Sequence, residues 1–161
     1  GYSSQVIRKI GDATGGHVWP IYAPFVVKNP KTAVELRSDH RIKAAMDLYG
    51  KVTLGLVVIG SWNPPDSQFY DAVHAYGLAE GMVAKGVVGE VCATLLDAQG
   101  RIVPGIEDRT LSVSAEQLRQ IPDVIGVAGG PKKFNAVRAA LLSGLVTSIV
   151  TDAELARMLI V

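Results

Sequence analysis

Apolar and polar residues follow two different periods along this chain, and the changes of period mark out its elements. Ser4 to Ile10 fits a short helix, and His17 to Pro24, HVWPIYAP, reads as a strand closed by prolines. Around HRIKAAMDLYG, Ile42, Ala45, Met46 and Tyr49 fall at spacings of three and four, which predicts one apolar helical face. From Thr53 to Gly60, TLGLVVIG is an unbroken apolar run. Such a run predicts a central parallel strand, because helices there cover both faces of the sheet. The loop SWNPPDS and a helical region ending near Lys85 follow. GEVCATLLDAQGRIV then predicts an antiparallel hairpin, with one strand, a turn at Gln99-Gly100 and a second strand. The C-terminal stretch is the clearest: strand DVIGVAG, a helix from Pro131 to about Ser143, strand TSIVT, and a helix from Asp152 to the end.

The C-terminal β-α-β-α order implies an α/β sheet with helices on both faces. The chain opens with a helix and only then a strand, so a first βα unit is expected to lie before residue 1. No repeat and no Ser-, Gly- or Pro-rich linker divides the sequence, which reads as one domain, N-terminally incomplete.

Composition narrows the function classes. With 161 residues, 48% of them apolar and 19% charged, the chain is long enough for a sizeable core. It contains no apolar run of membrane-spanning length, and GYSSQVIRKIG lacks the apolar core of a signal peptide, so the cytoplasm is the expected compartment. The single cysteine, Cys92, lies in an apolar stretch and is expected to be a buried, inert thiol. Net charge is +1 and no run of Lys or Arg occurs, so contact with DNA is expected of another segment.

Candidate chemistry concentrates in VAGGPKK. In open α/β sheets ligands lie beyond the carboxyl ends of the strands, and this loop follows such an end. Gly129 and Gly130 allow close backbone approach, Pro131 suits a first helical position, and the turn's N–H groups are free to meet an anion. Lys132 or Lys133 would supply the counter-charge; ammonium groups are otherwise unfavourable at a helix amino end. A lysine bound to phosphate contributes roughly 1.5–3 kcal/mol. The plain alternative is a tight strand-to-helix turn with both lysines solvated.

A second candidate is VIGSWNPPDS, where Ser61, Asn63, Asp66, Ser67 and Gln68 could bond a polyol and Trp62 could stack on a sugar. Its alternative is a proline-stiffened loop with Asp66 or Ser67 capping the next helix. Glu90 interrupts an apolar strand, either at an exposed edge or facing a site where it accepts hydrogen bonds from hydroxyl groups. Thr151 with Glu154 reads as a capping box. His17, His40 and His74 lack metal-ligand spacing. Nucleophile elbow, Walker loop and full dinucleotide fingerprint are all missing, so neither a metal, a cofactor nor a catalytic constellation is expected.

The succession APFVV, VVIGSWNPPDSQ, KGVVGEVCATLLDAQG and LRQIPDVIGVAGGPKKFNAVRAALLSGLVTSIVTDAELARMLI resembles the effector-binding domain of the SorC family of sugar-responsive bacterial transcription regulators. The resemblance implies a Rossmann-like, mostly parallel sheet related to ribose-5-phosphate isomerase and glucosamine-6-phosphate deaminase, employed to sense a phosphorylated sugar rather than convert it. It implies a preceding helix-turn-helix domain that binds operator DNA, homo-oligomerisation through the sensor, and an upstream Gly-Thr loop that this sequence lacks. It places Lys133 as the ligand lysine of Gly-Gly-x-x-Lys, with Gly129 and Gly130 shaping the loop. Gly60 and Ser61 border the sugar, and Glu90 is the carboxylate of Gly-x-Val-Gly-Asp/Glu. An isomerase or deaminase of the same fold is the alternative, with Glu90 the one plausible base.

Overall fold

The computed structural model describes residues 2–160. The first helix, α1 (Tyr2–Thr14), is longer than expected. The strand expected over His17 to Pro24 does not form. Pro20 and Pro24 remove ladder donors, and Tyr22 and Trp19 are exposed with no neighbouring strand to meet them. Pairing is confined to an isolated bridge between Val26 and Thr110, where Val27 N–H donates to the Arg109 carbonyl.

Capping explains the next two helices. Asn29 accepts from Lys31 N–H at 2.9 Å ahead of Pro30, starting α2 (Pro30–Ser38). Asp39 accepts from Arg41 and Ile42 N–H, starting α3 (His40–Met46). The expected face is partly realised: Ile42 and Ala45 are buried, while Met46 and Tyr49 are half-buried, Tyr49 in a following 3-10 turn.

The central strand β1 (Leu54–Trp62) runs two residues beyond the expected apolar stretch, and the short β2 (Pro65–Asp66) folds back on it. Two helices fill the region up to Lys85, α4 (Gln68–Ala75) and α5 (Ala79–Ala84), separated at Gly77, whose φ is +71°. The hairpin β3 (Val87–Val91) and β4 (Thr94–Asp97) turns at Cys92-Ala93, earlier than Gln99-Gly100. Gln99-Gly100 is a second turn, which carries the chain back to a single bridge between Leu96 and Ile102. Cys92 is half-buried, and burial together with the charge of Glu90 pushes its thiol up to about 12.

After α6 (Ala115–Gln120), β5 (Asp123–Val127), α7 (Phe134–Ser143), β6 (Ser148–Val150) and α8 (Ala153–Leu159) follow as expected; Val161, drawn into the last helix from sequence, lies outside the described residues. The six-stranded sheet has the order β4-β3-β1-β5-β6, with β2 beside β1. β1, β5 and β6 are parallel, and β3 and β4 continue the sheet antiparallel. Helix α7 packs on β1, β3 and β4, burying Ile59, Val91, Leu96, Val137 and Ala140. Helices α4 and α5 contribute to a separate core of Trp62, Phe69, Val73, Met82, Val87 and Leu95. The α/β class stands as expected from sequence, but helices cover both faces of β1 only toward its carboxyl end; Leu54, Leu56 and Val58 are exposed on one face, against the coverage expected for the apolar run.

Candidate functional site

The loop between β5 and α7 has the expected build. Gly130 holds φ +90°, a conformation that side-chain-bearing residues rarely adopt, and Pro131–Lys133 forms a 3-10 turn leading into α7. The two lysines separate there. Lys132 is exposed, whereas Lys133 is half-buried and its Nζ donates to the Ile59 carbonyl of β1 at 2.9 Å.

Glu90 comes to the next residue of that strand. β3 pairs Glu90 with Gly60, and a methyl group built on Gly60 would stand 2.0–2.4 Å from the Glu90 carboxyl group. The Glu90 carboxyl group occupies the space a side chain at position 60 would take, so any larger residue there must push it aside. The Lys133 ammonium and the Glu90 carboxyl group therefore converge on consecutive residues, Ile59 and Gly60, near the carboxyl end of β1. Glu90 is 7% exposed, which excludes the exposed-edge reading. Trp62 Nε1 donates to its Oε2 at 2.6 Å and Ser67 Oγ to its Oε1 at 2.8 Å. Burial pushes the carboxyl up to about 7, against the opposing pull of the Ser67 and Trp62 hydrogen bonds and the Lys133 charge.

Other expected residues sit differently. Ser61 is fully buried, and its hydroxyl donates to the Pro64 carbonyl, tying the loop beyond β1 to itself. Trp62 is 1% exposed and packs edge-on to Tyr70 at 5.1 Å, so it offers no face for a sugar to stack against. Both arms of the second candidate's alternative hold in part: Ser67 caps α4 by accepting from Tyr70 N–H at 3.1 Å, while its own proton goes to Glu90.

Asp152 was missed as a partner of the Gly-Gly loop. Its Oδ2 accepts from Gly130 N–H, and its Oδ1 accepts from Leu155 N–H at 2.8 Å, so Asp152, rather than Thr151, caps α8. The Leu155 and Gly130 N–H groups hold this carboxyl below its usual range. One donor of the expected anion cradle is thus already bonded within the chain. The helix-cap pattern at this position was legible; the reach across to residue 130 carries no sequence period. A recess of about 510 Å³ lined by Arg37, Met46, Cys92, Thr94, Glu107 and Thr110 contains none of the expected site residues. Its guanidinium is committed to the Glu107 and Thr110 carbonyls. Among the described residues, no His, Cys, Asp and Glu group is suited to hold a metal ion, and no helix is long and apolar enough to cross a membrane.

Comparison with known proteins bears on the whole arrangement. The family described as "Putative sugar-binding domain" matches residues 1–161. The "Uncharacterized transcriptional regulator YjhU" of Escherichia coli strain K12 is 31% identical over 98% of this chain and 47% of its own length. The crystal structure of the full-length sorbitol operon regulator SorC from Klebsiella pneumoniae superposes with a TM-score of 0.77 at 26% identity, over 84% of this chain and 44% of that one. A domain of a "possible sugar-binding transcriptional regulator" from Arthrobacter aurescens TC1 gives a TM-score of 0.82 at 28% identity, over 98% of this chain and 62% of that one. The chain spans about half the length of the curated relatives it matches. Matched along its full length by the family, and sharing its fold with these regulators, the chain belongs to the sugar-binding domain family of SorC-type transcriptional regulators.

Proposed function

We propose that residues 1–161 are the effector-binding part of a bacterial transcription regulator that senses a phosphorylated sugar in the cytoplasm. The sugar shifts the equilibrium between conformations of a homo-oligomer and so changes the operator affinity of a separate helix-turn-helix domain. In this reading the protein is not an enzyme. Lys133 meets the acidic group of the effector, Glu90 accepts from sugar hydroxyls above Gly60, and Gly129 and Gly130 shape the loop. Ser61 borders the sugar through the loop it ties down. The observation that carries the reading is the convergence of Lys133 and Glu90 on Ile59 and Gly60, one cation and one carboxyl group side by side where a strand ends.

The test separates the two lysines. Lys133→Ala should weaken binding of the effector by roughly 1.5–3 kcal/mol, about ten- to a hundredfold, with operator binding retained. Lys132→Ala should change little. Since Lys133 also serves the Ile59 carbonyl, the empty Lys133→Ala domain should lose about 1 kcal/mol of stability, not gain any as the helix-dipole argument alone would have it. Calorimetric titration with a panel of sugars and their phosphates is the measurement, and equal affinity in Lys133→Ala and the unmodified protein would remove the lysine from the site. A second reading, a sugar-phosphate isomerase or deaminase, draws on one observation, a carboxyl group pushed up to about 7, near the optimum for a general base. Turnover of ribose 5-phosphate or glucosamine 6-phosphate above background would decide for it.

A further inference from the structure

Glu90 is held at both oxygens, yet its hydrogen-bonding capacity is only half used within the chain. A carboxylate has about four lone-pair sites. Two are taken here, one on each oxygen, by Trp62 Nε1 and Ser67 Oγ. Neither donor is free to follow a moving acceptor. The Trp62 indole is locked in the core between Phe69 and Tyr70, with ring centroids 6.1 Å and 5.1 Å away. The Ser67 hydroxyl is fixed by its second role as the cap of α4. The Ser61 hydroxyl bonds the Pro64 carbonyl and so closes the loop that joins these two residues.

We propose that Trp62 and Ser67 are positioning residues of the sugar site, each holding one Glu90 oxygen so that the remaining lone pairs meet sugar hydroxyls above Gly60. The inference rests on the sugar-binding reading of Glu90. A purely structural acceptor for the indole could have been a neutral amide or a carbonyl, whereas a buried carboxylate is expensive unless its charge is used. Trp62, which the sequence offered as a stacking surface, acts instead from behind the carboxylate.

The arrangement has a titration signature. The neighbours that bear on Glu90 are the neutral donors Trp62 of β1 and Ser67 at the cap of α4, the Lys133 ammonium from the turn ahead of α7, and the Cys92 thiol on its own chain segment. An ionised carboxylate accepts hydrogen bonds more strongly than a protonated one, so affinity for a sugar should rise with pH through about 7. The two donors stabilise the ionised form, and removing either should move that midpoint upward.

Calorimetric titration of the full-length protein with ribose 5-phosphate, fructose 6-phosphate and glucose 6-phosphate, between about pH 5.5 and 8.5, reads this directly. In Ser67→Ala and Trp62→Phe the midpoint should rise by roughly one pH unit, and affinity at pH 7 should fall about three- to tenfold. Ser67→Thr, which keeps both the hydroxyl donor and the helix cap, should restore both values. The phosphate's own titration is common to all variants and drops out of the comparison. Should Trp62→Phe fail to fold, Ser67→Ala against Ser67→Thr carries the test alone. If a sugar phosphate binds and Ser67→Ala keeps the unmodified midpoint, the positioning role is overturned while sugar binding stands. If none of the three binds the unmodified protein, the sugar-phosphate reading falls and the positioning role with it.

Discussion

Strand β1 is one continuous apolar segment with two different halves. Leu54 to Val58 lies parallel to β5, and on one face of this half Leu54, Leu56 and Val58 are 57%, 60% and 68% exposed. Ile59 to Ser61 pairs antiparallel with β3, and these three residues and Trp62 are all buried. Composition does not distinguish the halves; coverage does. Helix α7 backs the second half from one side, and the core built by α4 and α5 takes Trp62 from the other. Register continues the open face of the first half into β5 and β6, with Leu56 opposite Ile125, Val58 opposite Val127, and Val127 opposite Val150. The candidate site forms in the covered half. Desolvation there raises Glu90 and makes each hydrogen bond to it count, which the open half could not do.

The sharpest way to break this comparison is at the boundary between the halves, where a fully buried Ile59 follows an exposed Val58. Ile59→Ala should destabilise the domain by about 3 kcal/mol through lost burial and the cavity left between Val91, Val124 and Val137. Val58→Ala should stay within about 0.5 kcal/mol. Urea denaturation of both variants measures the contrast, and similar losses would mean that something covers the open face in solution.

Next in size is a pH effect confined to the covered half. The Glu90 carboxyl is raised from 4.5 to about 7 on folding, so between those values the folded protein holds a proton that the unfolded chain has released. The stabilisation is complete below about pH 4.5 and is lost as pH rises to about 7, a change of roughly 3 kcal/mol. Glu90→Gln should flatten the pH 5 to 7 part of the stability curve. An unchanged slope would show that Glu90 is ionised throughout.

A smaller contrast pairs two glycines of β1. In the open half, a methyl group on Gly55 would meet the Val124 side chain at 3.5 Å, an ordinary contact, and Gly55→Ala should be nearly neutral. In the covered half, Gly60→Ala would displace the Glu90 carboxyl from its bonds to Trp62 and Ser67, for a loss of about 2 kcal/mol. Thermal unfolding followed by circular dichroism compares the two, and equal midpoints would mean that the carboxyl group has room to move aside.

Legibility in the sequence follows the same division. The apolar run of β1 and the β-α-β-α order after Ile121 are local patterns, and they led to the class of fold and to the loop that carries Lys133. Helix α2 was overlooked although Asn29-Pro30 is a start signal of its own. The strand expected at His17 to Pro24 was read from β-forming residues, without a partner strand to hold it. Glu90 stood out as a charge in an apolar strand, but its partners did not: Trp62 and Ser67 lie 28 and 23 residues away, joined to it only by the antiparallel register and the cap of α4. Asp152 reaches Gly130 across 22 residues for the same kind of reason. Local periodicity locates elements; which buried polar groups face one another is decided by packing between elements distant in sequence.

The smallest expected effect concerns the turn that closes the covered half. The turn between β3 and β4 is centred on Cys92-Ala93, with φ of +48° and +64°, and Val91 opposite Thr94 is the last pair before it. Two consecutive positive φ values are what a two-residue hairpin of right-handed twist requires, and Asn-Gly is the usual solution. The sequence was misread here because neither Cys nor Ala announces a turn, while Gln99-Gly100 does. Each non-glycine residue in this region is strained by about 1 kcal/mol. Cys92 cannot simply be replaced, since it packs against the core that contains Val91 and Leu96. Ala93 packs against the other core, with only a methyl group to lose. Ala93→Gly should therefore relieve more strain than the contact it removes, a net gain of about 0.5 kcal/mol or 1–2 °C in Tm, and leave the parallel half of β1 untouched. A fall in Tm would show that the methyl contact outweighs the strain and that this turn is held in place by the core beneath it.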